Sequence, residues 1–302
     1  MPIPTSRTQE TATISIDETK CEGCGLCVDV CKDFSLEICD GKCHLASNPV
    51  FGCIGCGHCM AICPNDAIRV TGRCISPDDL FPLPPKSETA SYGTLMNLLQ
   101  RRRSIREFKE TPVEPEVIRQ VLDAARTAPM GIPPSDVQVM VLDSKEKLFS
   151  FSRDFCEYLV KLRWMTSPWF LYLMRPVWGK ANTDLFREFV RPLIDVYTTN
   201  MTKGINLVTY DAPAGLYFYG SPYADPADPI VAATYAMIAA ESLGLGTCML
   251  GGIHPFIQQG SAAKKFRSKH GIQFKSREGL FVILGYPRVK YKYGIRRSFP
   301  SD

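Results

Sequence analysis

One short pattern occurs twice and constrains the chain before any fold is considered. CEGCGLCVDVC spans 21–31 and CIGCGHCMAIC spans 53–63, so both read C-x-G-C-G-x-C-x-x-x-C at an interval of 32 residues. Thiolates spaced two residues apart must curl around a single centre. Runs of this kind ligate 4Fe–4S clusters, and the fourth cysteine of each run crosses to the other cluster. The spacing therefore assigns Cys21, Cys24, Cys27 and Cys63 to one cluster, and Cys53, Cys56, Cys59 and Cys31 to a second. Gly23, Gly25, Gly55 and Gly57 permit the tight turns this requires, because glycine reaches positive φ without a Cβ clash. Structural zinc prefers cysteine pairs separated by a longer loop. Disulfides need an oxidising compartment.

Around these runs, residues 12–75 resemble the two-cluster bacterial ferredoxins, and Cys63 is followed by Pro64 as in that family. Cys31 departs from the pattern, being followed by Lys32, which does not threaten ligation. Within 1–75 there are six Lys or Arg against nine Asp or Glu, although the whole chain carries +4. The amino-terminal part is thus acidic and the remainder basic enough to hold an anionic cofactor. A net charge this mild gives no reason to expect nucleic acid.

The 302 residues suffice for a large and a small domain, and 45% hydrophobic content supports a real core. MPIPTSRTQETAT lacks the apolar run of a secretory signal. The longest apolar stretch, IVAATYAMIAA at 230–240, ends at Glu241 and is too short to span a membrane. These features predict a cytoplasmic protein without membrane contact. Thirteen cysteines fit a reducing interior.

Along the chain, Ile14 and Ile16 alternate with polar residues and predict a strand. SLEICDGKCHL predicts a hairpin turning at Asp40–Gly41, and AIRVTGRC a further strand. Residues 76–90 hold Pro77, Pro82, Pro84 and Pro85, which predicts an extended, semi-rigid connector. From 91 onward helices and strands alternate. Leu95, Leu98 and Leu99 mark a helix ending near Arg102. Pro115 opens another, with Val117, Ile118, Val121, Leu122 and Ala125 inward. VQVMVL, APAGLYFYG and LFVILG read as strands; 145–163, 181–203 and 229–243 read as helices. The fold class expected is α+β.

RRRSIREF at 101–108 gathers guanidinium forks and a hydroxyl, groups suited to a phosphate and a ribityl chain. AARTAPMGIPP follows at 124–134, then AAESLGLGTCMLGGI at 239–253 and ILGYPRVKYKYGIRRSFP at 283–300. In this order, residues 91–302 resemble the FMN-dependent nitroreductase family. The resemblance implies a helix-flanked sheet in an intertwined homodimer with FMN at the interface. It implies that Arg102, Arg103, Ser104 and Arg106 bind the phosphate, ribityl and pyrimidine side of FMN. Pro129, Met130 and Gly131 match the segment beside the flavin. Met249, Leu250, Gly251 and Gly252 match the loop over the ring, with the Gly251 backbone near N5. Lys292, Arg296 and Arg297 are candidates for the phosphate. Where many members carry Asn and Gln, this chain has Pro133 and Ser135. Proline cannot replace an amide donor, so Ser135 is the candidate for that contact.

The three tryptophans, Trp164, Trp169 and Trp178, lie in 146–223 with Phe170, Tyr172, Phe186, Tyr217 and Tyr219. Most read as core or dimer interface, although such a region shapes the substrate pocket in the related family and would stack on a flat substrate. GLGTCM at 244–249 begins like a dinucleotide fingerprint but has Met249 at the third glycine position and lacks strand–turn–helix context. Cys39 and Cys43 read as buried structural thiols rather than a metal pair, and Cys74, Cys156 and Cys248 have no assigned role. His58 and His254 read as solvent-facing or capping.

The combined expectation is an oxidoreductase with a built-in ferredoxin. Electrons from reduced ferredoxin or a similar low-potential donor pass through two 4Fe–4S clusters to FMN, then to a small planar electrophile such as a nitroaromatic, quinone or enone. No side chain need act as nucleophile or base, because the cofactors carry the chemistry. The alternative is an electron-transfer module relaying electrons between protein partners.

Overall fold

Two units emerge in the computed structural model, which describes residues 11–50, 52–131 and 136–299. The first takes in the described residues up to Ser91 together with 129–137 and 221–228; the second holds the rest.

The first unit repeats a small theme. Its order is β1 (Thr13–Ile16), α1 (Leu26–Val30), β2 (Leu36–Cys39), β3 (Lys42–Leu45), α2 (His58–Ile62) and β4 (Ile68–Thr71). β1 pairs antiparallel with β4, Ile14 opposite Val70 and Ile16 opposite Ile68. Period-two alternation buries Ile14, Ile68 and Val70 and leaves Thr13, Ser15 and Arg69 exposed. β2 and β3 form the expected hairpin. Its turn residues Asp40 and Gly41 both have positive φ, 48° and 74°, as a two-residue hairpin loop demands. Each cysteine run opens a one-turn helix directly after a left-handed glycine, Gly25 for α1 and Gly57 for α2. One core joins Cys21, Cys27, Cys43 and Cys59 to Leu36, Met60 and Val70.

The connector departs from a purely extended course. Pro77–Asp79 and Lys86–Glu88 form 3₁₀ turns. Ser76 accepts from the Asp78 N–H while Asp79 accepts from the Ser76 N–H, and this reciprocal cap lets proline start a turn.

In the second unit the elements are α3 (Tyr92–Arg101), α4 (Pro115–Arg126), β5 (Val137–Leu142), α5 (Lys145–Leu162), α6 (Pro168–Leu185) and α7 (Arg191–Met201). There follow β6 (Ala214–Gly220), α8 (Asp228–Ser242), β7 (Gly246–Leu250), α9 (Ile253–Phe256), α10 (Gly260–Lys269) and β8 (Gly279–Gly285). The sheet order is β5-β6-β8-β7. β8 runs antiparallel to both β6 and β7. β6 and β8 are buried at every position, which explains why their sequences are unbroken apolar runs rather than alternating ones. Strands packed with helices on an antiparallel frame make the unit α+β.

α5 supplies Phe151 and Phe155 to a core shared with Tyr217, Phe266, Phe281 and Ile283. Each such side chain contributes about 1.5–3 kcal/mol on burial. α4 buries Ile118, Val121 and Ala125 as the sequence spacing requires. α3 differs: it buries no residue, and Leu95 and Leu99 remain exposed. Among the described residues no helix is long and apolar enough to cross a membrane.

Candidate functional site

The duplicated runs bring their cysteines together as the crossing pattern requires. Cys21, Cys24, Cys27 and Cys63 line one cavity. The fourth of these arrives from the other run, 36 residues beyond Cys27. The Gly23 backbone has φ 70°, and a Cβ there would strike the Gly41 carbonyl oxygen, so the hairpin turn presses directly on this loop. The Cys43 N–H donates to Cys21 Sγ at 3.4 Å and the Ala67 N–H to Cys63 Sγ at 3.3 Å. Backbone donors thus already point at sulfur.

The second set is marked by its electrostatics. Burial pushes the Cys59 thiol up to about 12, and neighbouring Cys56, Cys53 and Cys31 add to the effect. The Cys53 thiol is raised for the same reasons, by burial first and with Cys56 and Cys31 close by. Cys31, from the first run, is thus among the charged neighbours of both Cys53 and Cys59. Among the described residues no three ligating side chains close around one ion-sized point. Four thiols around one cavity, with backbone N–H groups directed at two of the sulfurs, are a donor set that fits a 4Fe–4S cluster.

The remaining cysteines divide differently from the sequence expectation. Cys43 is buried, but Cys39 is exposed and pairs across the hairpin with Lys42, so it is no structural thiol. Register separates them: Cys43 lies opposite Ile38 and Cys39 opposite Lys42, so the two side chains take opposite faces of the hairpin. Cys74 is exposed, whereas Cys156 and Cys248 are buried.

In the second unit the basic run leaves α3 and enters extended backbone. Ser104 bridges Thr247 in parallel, and the Ile105 N–H donates to the Thr247 carbonyl at 2.9 Å. This joins RRRSIR to β7, which carries Met249 and Leu250 and runs into the Gly251–Gly252 turn, segments more than 140 residues apart. Thr247 is 2% exposed, and its Oγ1 is buried without a hydrogen-bond partner among the described residues.

Arg102, Arg103, Ser104, Arg296 and Arg297 line one open cavity of about 1240 Å³. The carboxy-terminal arginines thus meet the run at 101–104 from the other end of the domain. Arg103 lies against Gly294, where a Cβ would leave its guanidinium no room. Lys292 goes elsewhere. It lines a neighbouring cavity of about 530 Å³ with Lys290, Tyr291 and Tyr293, to which Arg101 and Arg103 also contribute. Arg106 joins neither wall; its guanidinium stands 5.8 Å from the centre of the Tyr210 ring. Guanidinium groups and a hydroxyl on the wall of an open cavity fit the phosphate and ribityl end of a flavin nucleotide in charge and hydrogen-bonding capacity.

Other expected positions are spread out. Pro129, Met130 and Gly131 fall within the first unit, and the Gly131 N–H donates to Asp228 Oδ1 at 2.8 Å. Burial raises the Asp228 carboxyl above the usual range. Met249, Gly251 and Gly252 are exposed and Leu250 is half-buried. Ser135, like Pro133, lies outside the described residues.

The aromatics separate into two groups. Tyr217 and Tyr219 belong to the core, as expected. Phe170 meets the Trp164 and Trp178 rings edge-on at 4.8 and 5.5 Å, while Trp169 and Tyr172 are exposed. GLGTCM runs from a helix into a strand, the reverse of a dinucleotide fingerprint.

For His254, read from sequence as solvent-facing or capping, the solvent-facing alternative fails, since the residue is 5% exposed. Its position next to a Gly–Gly pair gave no sign of burial; the network only closes in three dimensions. The Gln258 amide donates to Tyr217 Oη at 2.9 Å, and because the carbonyl facing Nε2 can only accept, Nδ1 is the acceptor of the Tyr217 hydroxyl at 2.8 Å. Nε2 then carries the proton and faces the Arg277 carbonyl at 3.3 Å. Burial holds the imidazole below its usual pKa. His58 is exposed at the start of α2.

The model of the nitroreductase family matches residues 99–286, and the model of the 4Fe-4S binding domain matches 14–33 and 52–69. No curated protein matches the chain. Among solved structures, the chain is similar to a nitroreductase with bound FMN from Desulfitobacterium hafniense, at 21% identity and TM-score 0.47, covering 67% of this chain and 94% of that one. It is also similar to a nitroreductase with bound FMN from Bacteroides fragilis, at 15% identity and TM-score 0.49, covering 68% and 96%. An FMN-dependent nitroreductase from Clostridium difficile gives 22% identity, TM-score 0.43 and coverage of 67% and 91%. With its matched region spanning well over half of its length, the chain belongs to the nitroreductase family and carries a 4Fe–4S binding domain ahead of that region.

Proposed function

We propose that this protein is a flavin oxidoreductase fed by its own iron–sulfur domain. In this reading Cys21, Cys24, Cys27 and Cys63 hold one 4Fe–4S cluster and Cys53, Cys56, Cys59 and Cys31 a second. Arg102, Arg103 and Ser104, with Arg296 and Arg297, grip the phosphate end of FMN. When bound, the clusters supply single-electron transfer and the flavin supplies two-electron reduction of an acceptor. The protein's part is to bind, orient and set polarity. The donor is a reduced ferredoxin or similar low-potential protein, and the acceptor a small planar nitroaromatic, quinone or enone. The working form is a homodimer.

The observation that carries this reading is the convergence of two arginine runs from opposite ends of the domain on one open cavity. A cluster domain in the same chain explains how electrons would arrive. The test mixes the anaerobically reconstituted protein with reduced ferredoxin and a panel of nitroaromatics, quinones and enones. Bleaching of the flavin followed by its return on adding an acceptor supports the proposal. A flavin that no acceptor reoxidises defeats it.

A second reading is favoured by one feature, the basic and open rim formed by Arg101, Lys290 and Lys292. There the flavin relays electrons to an acidic protein partner. Reoxidation by such a protein, with none by small molecules, would select it.

A further inference from the structure

The cavity bounded by the first cysteine set contains a fifth thiol that neither run requires. Cys43 is 1% exposed. Alternation along β3 turns it inward while Lys42 and His44 are only partly covered. It lines the same cavity as Cys21, Cys24, Cys27 and Cys63. Its Sγ lies 3.4 Å from Cys27 Sγ, and its backbone N–H donates to Cys21 Sγ at the same distance. The other acceptor within reach, the His44 carbonyl, is farther away at 4.0 Å.

The duplication supplies an internal comparison. At the interval of 32 residues that relates the two runs, the position matching Cys43 holds Ile75. Ile75 packs on the second run, where a Cβ at Gly57 would meet its Cδ1 at 2.7 Å. One half of the repeat thus faces a thiol and the other a hydrocarbon.

Resting on the cluster reading above, the geometry points to Cys43 as a positioning residue that acts through Cys27 and makes the two clusters unequal. It is no ligand. With Cys27 bound as thiolate, the Cys43 S–H donates to its sulfur. A donor to a ligating sulfur withdraws negative charge, and reduction adds one electron to the cluster, so the reduced form gains more from that bond. The cluster beside Cys43 therefore has the higher reduction potential, and an electron shared between the two rests there. Lys42 Nζ donates to the Cys21 carbonyl on the same side, so the effect of Cys43 is read with Lys42 in place.

The test is a redox titration of the anaerobically reconstituted full chain, followed by electron paramagnetic resonance, with iron and sulfide measured on every sample. The wild type should show two cluster steps. Cys43→Ala should move the higher step down toward the lower and leave the lower unmoved. Cys43→Ser, which keeps a donor, should move it less, and it carries the test if the alanine variant takes up too little iron. A single step in the wild type, movement of both steps together, or movement of neither at full iron content overturns the role of Cys43. A wild type that takes up no iron and sulfide overturns the cluster reading itself.

Discussion

Ile105 fills the space that a side chain at Gly246 would need. A Cβ added at Gly246 would lie 2.7 Å from Ile105 Cβ and closer still to Cγ1. Ile105 is 6% exposed and holds the extended arginine–serine run against β7, so neither side can give way easily.

Gly246→Ala is therefore expected to destabilise the second unit by about 1–3 kcal/mol, the usual cost of overpacking a filled core. Urea unfolding followed by near-ultraviolet circular dichroism measures it. Gly251→Ala, with nothing within 4 Å of its added methyl, should leave the midpoint in place. Equal stability of the Gly246 variant and wild type would show that the junction is loose.

The two glycines of the first run should respond unequally. Both have positive φ, yet a Cβ at Gly23 collides with the Gly41 carbonyl, whereas one at Gly25 meets nothing within 4 Å. Gly25→Ala should cost only the left-handed backbone penalty, roughly 1–2 kcal/mol. Gly23→Ala should in addition displace the loop carrying Cys24, and reconstituted protein should lose about half its iron, the share of the cluster held by Cys21, Cys24, Cys27 and Cys63. Full iron in both variants would contradict the crowding at Gly41.

Cofactor affinity should follow the cavity walls. Arg103→Ala and Arg297→Ala each remove a charged donor from the larger cavity and should weaken FMN binding about tenfold or more. Lys292→Ala, on the neighbouring wall, should matter less. Quenching of free FMN fluorescence on titration with protein gives the dissociation constants. The opposite ranking, with Lys292 dominant, would place the phosphate in the smaller cavity.

Stability should fall on mild acidification. Burial keeps both His254 and His270 below the usual histidine pKa, so both are neutral in the folded state. As pH drops through about 6.5, the unfolded chain takes up protons that the folded chain does not. Stability is then lost progressively until pH falls below the two folded-state values. The decline precedes the titration of exposed carboxylates. Thermal unfolding between pH 8 and 5 should show it, and His254→Gln should flatten the slope. A melting temperature that is constant from pH 7.5 to 5.5 would refute it.

Much of the first unit was legible in the residues themselves. Metal-ligand spacing is local: the interval between cysteines and the glycines between them prescribe the turns, and the interval of 32 residues prescribes the duplication. The hairpin at Asp40–Gly41 and the strands at 13–16 and 68–71 followed from turn chemistry and alternation. The apolar run LFVILG read as a buried strand, and β8 is buried at every position.

What local pattern could not decide was which distant pieces meet. Nothing in RRRSIREF requires Ser104 to lie beside Thr247, or Arg103 beside Gly294. Nor does it separate Arg106, near Tyr210, from the cavity that its neighbours line. The same holds for His254, whose burial depends on Tyr217 and Gln258 closing around it. The exposure of Cys39 against the burial of Cys43 was settled by strand register. Periodicity and ligand spacing act over a few residues along the backbone, so the sequence displays them directly. Contacts between chain ends arise only when the sheet and its helices compete for the same apolar surface, and tertiary packing alone resolves that competition.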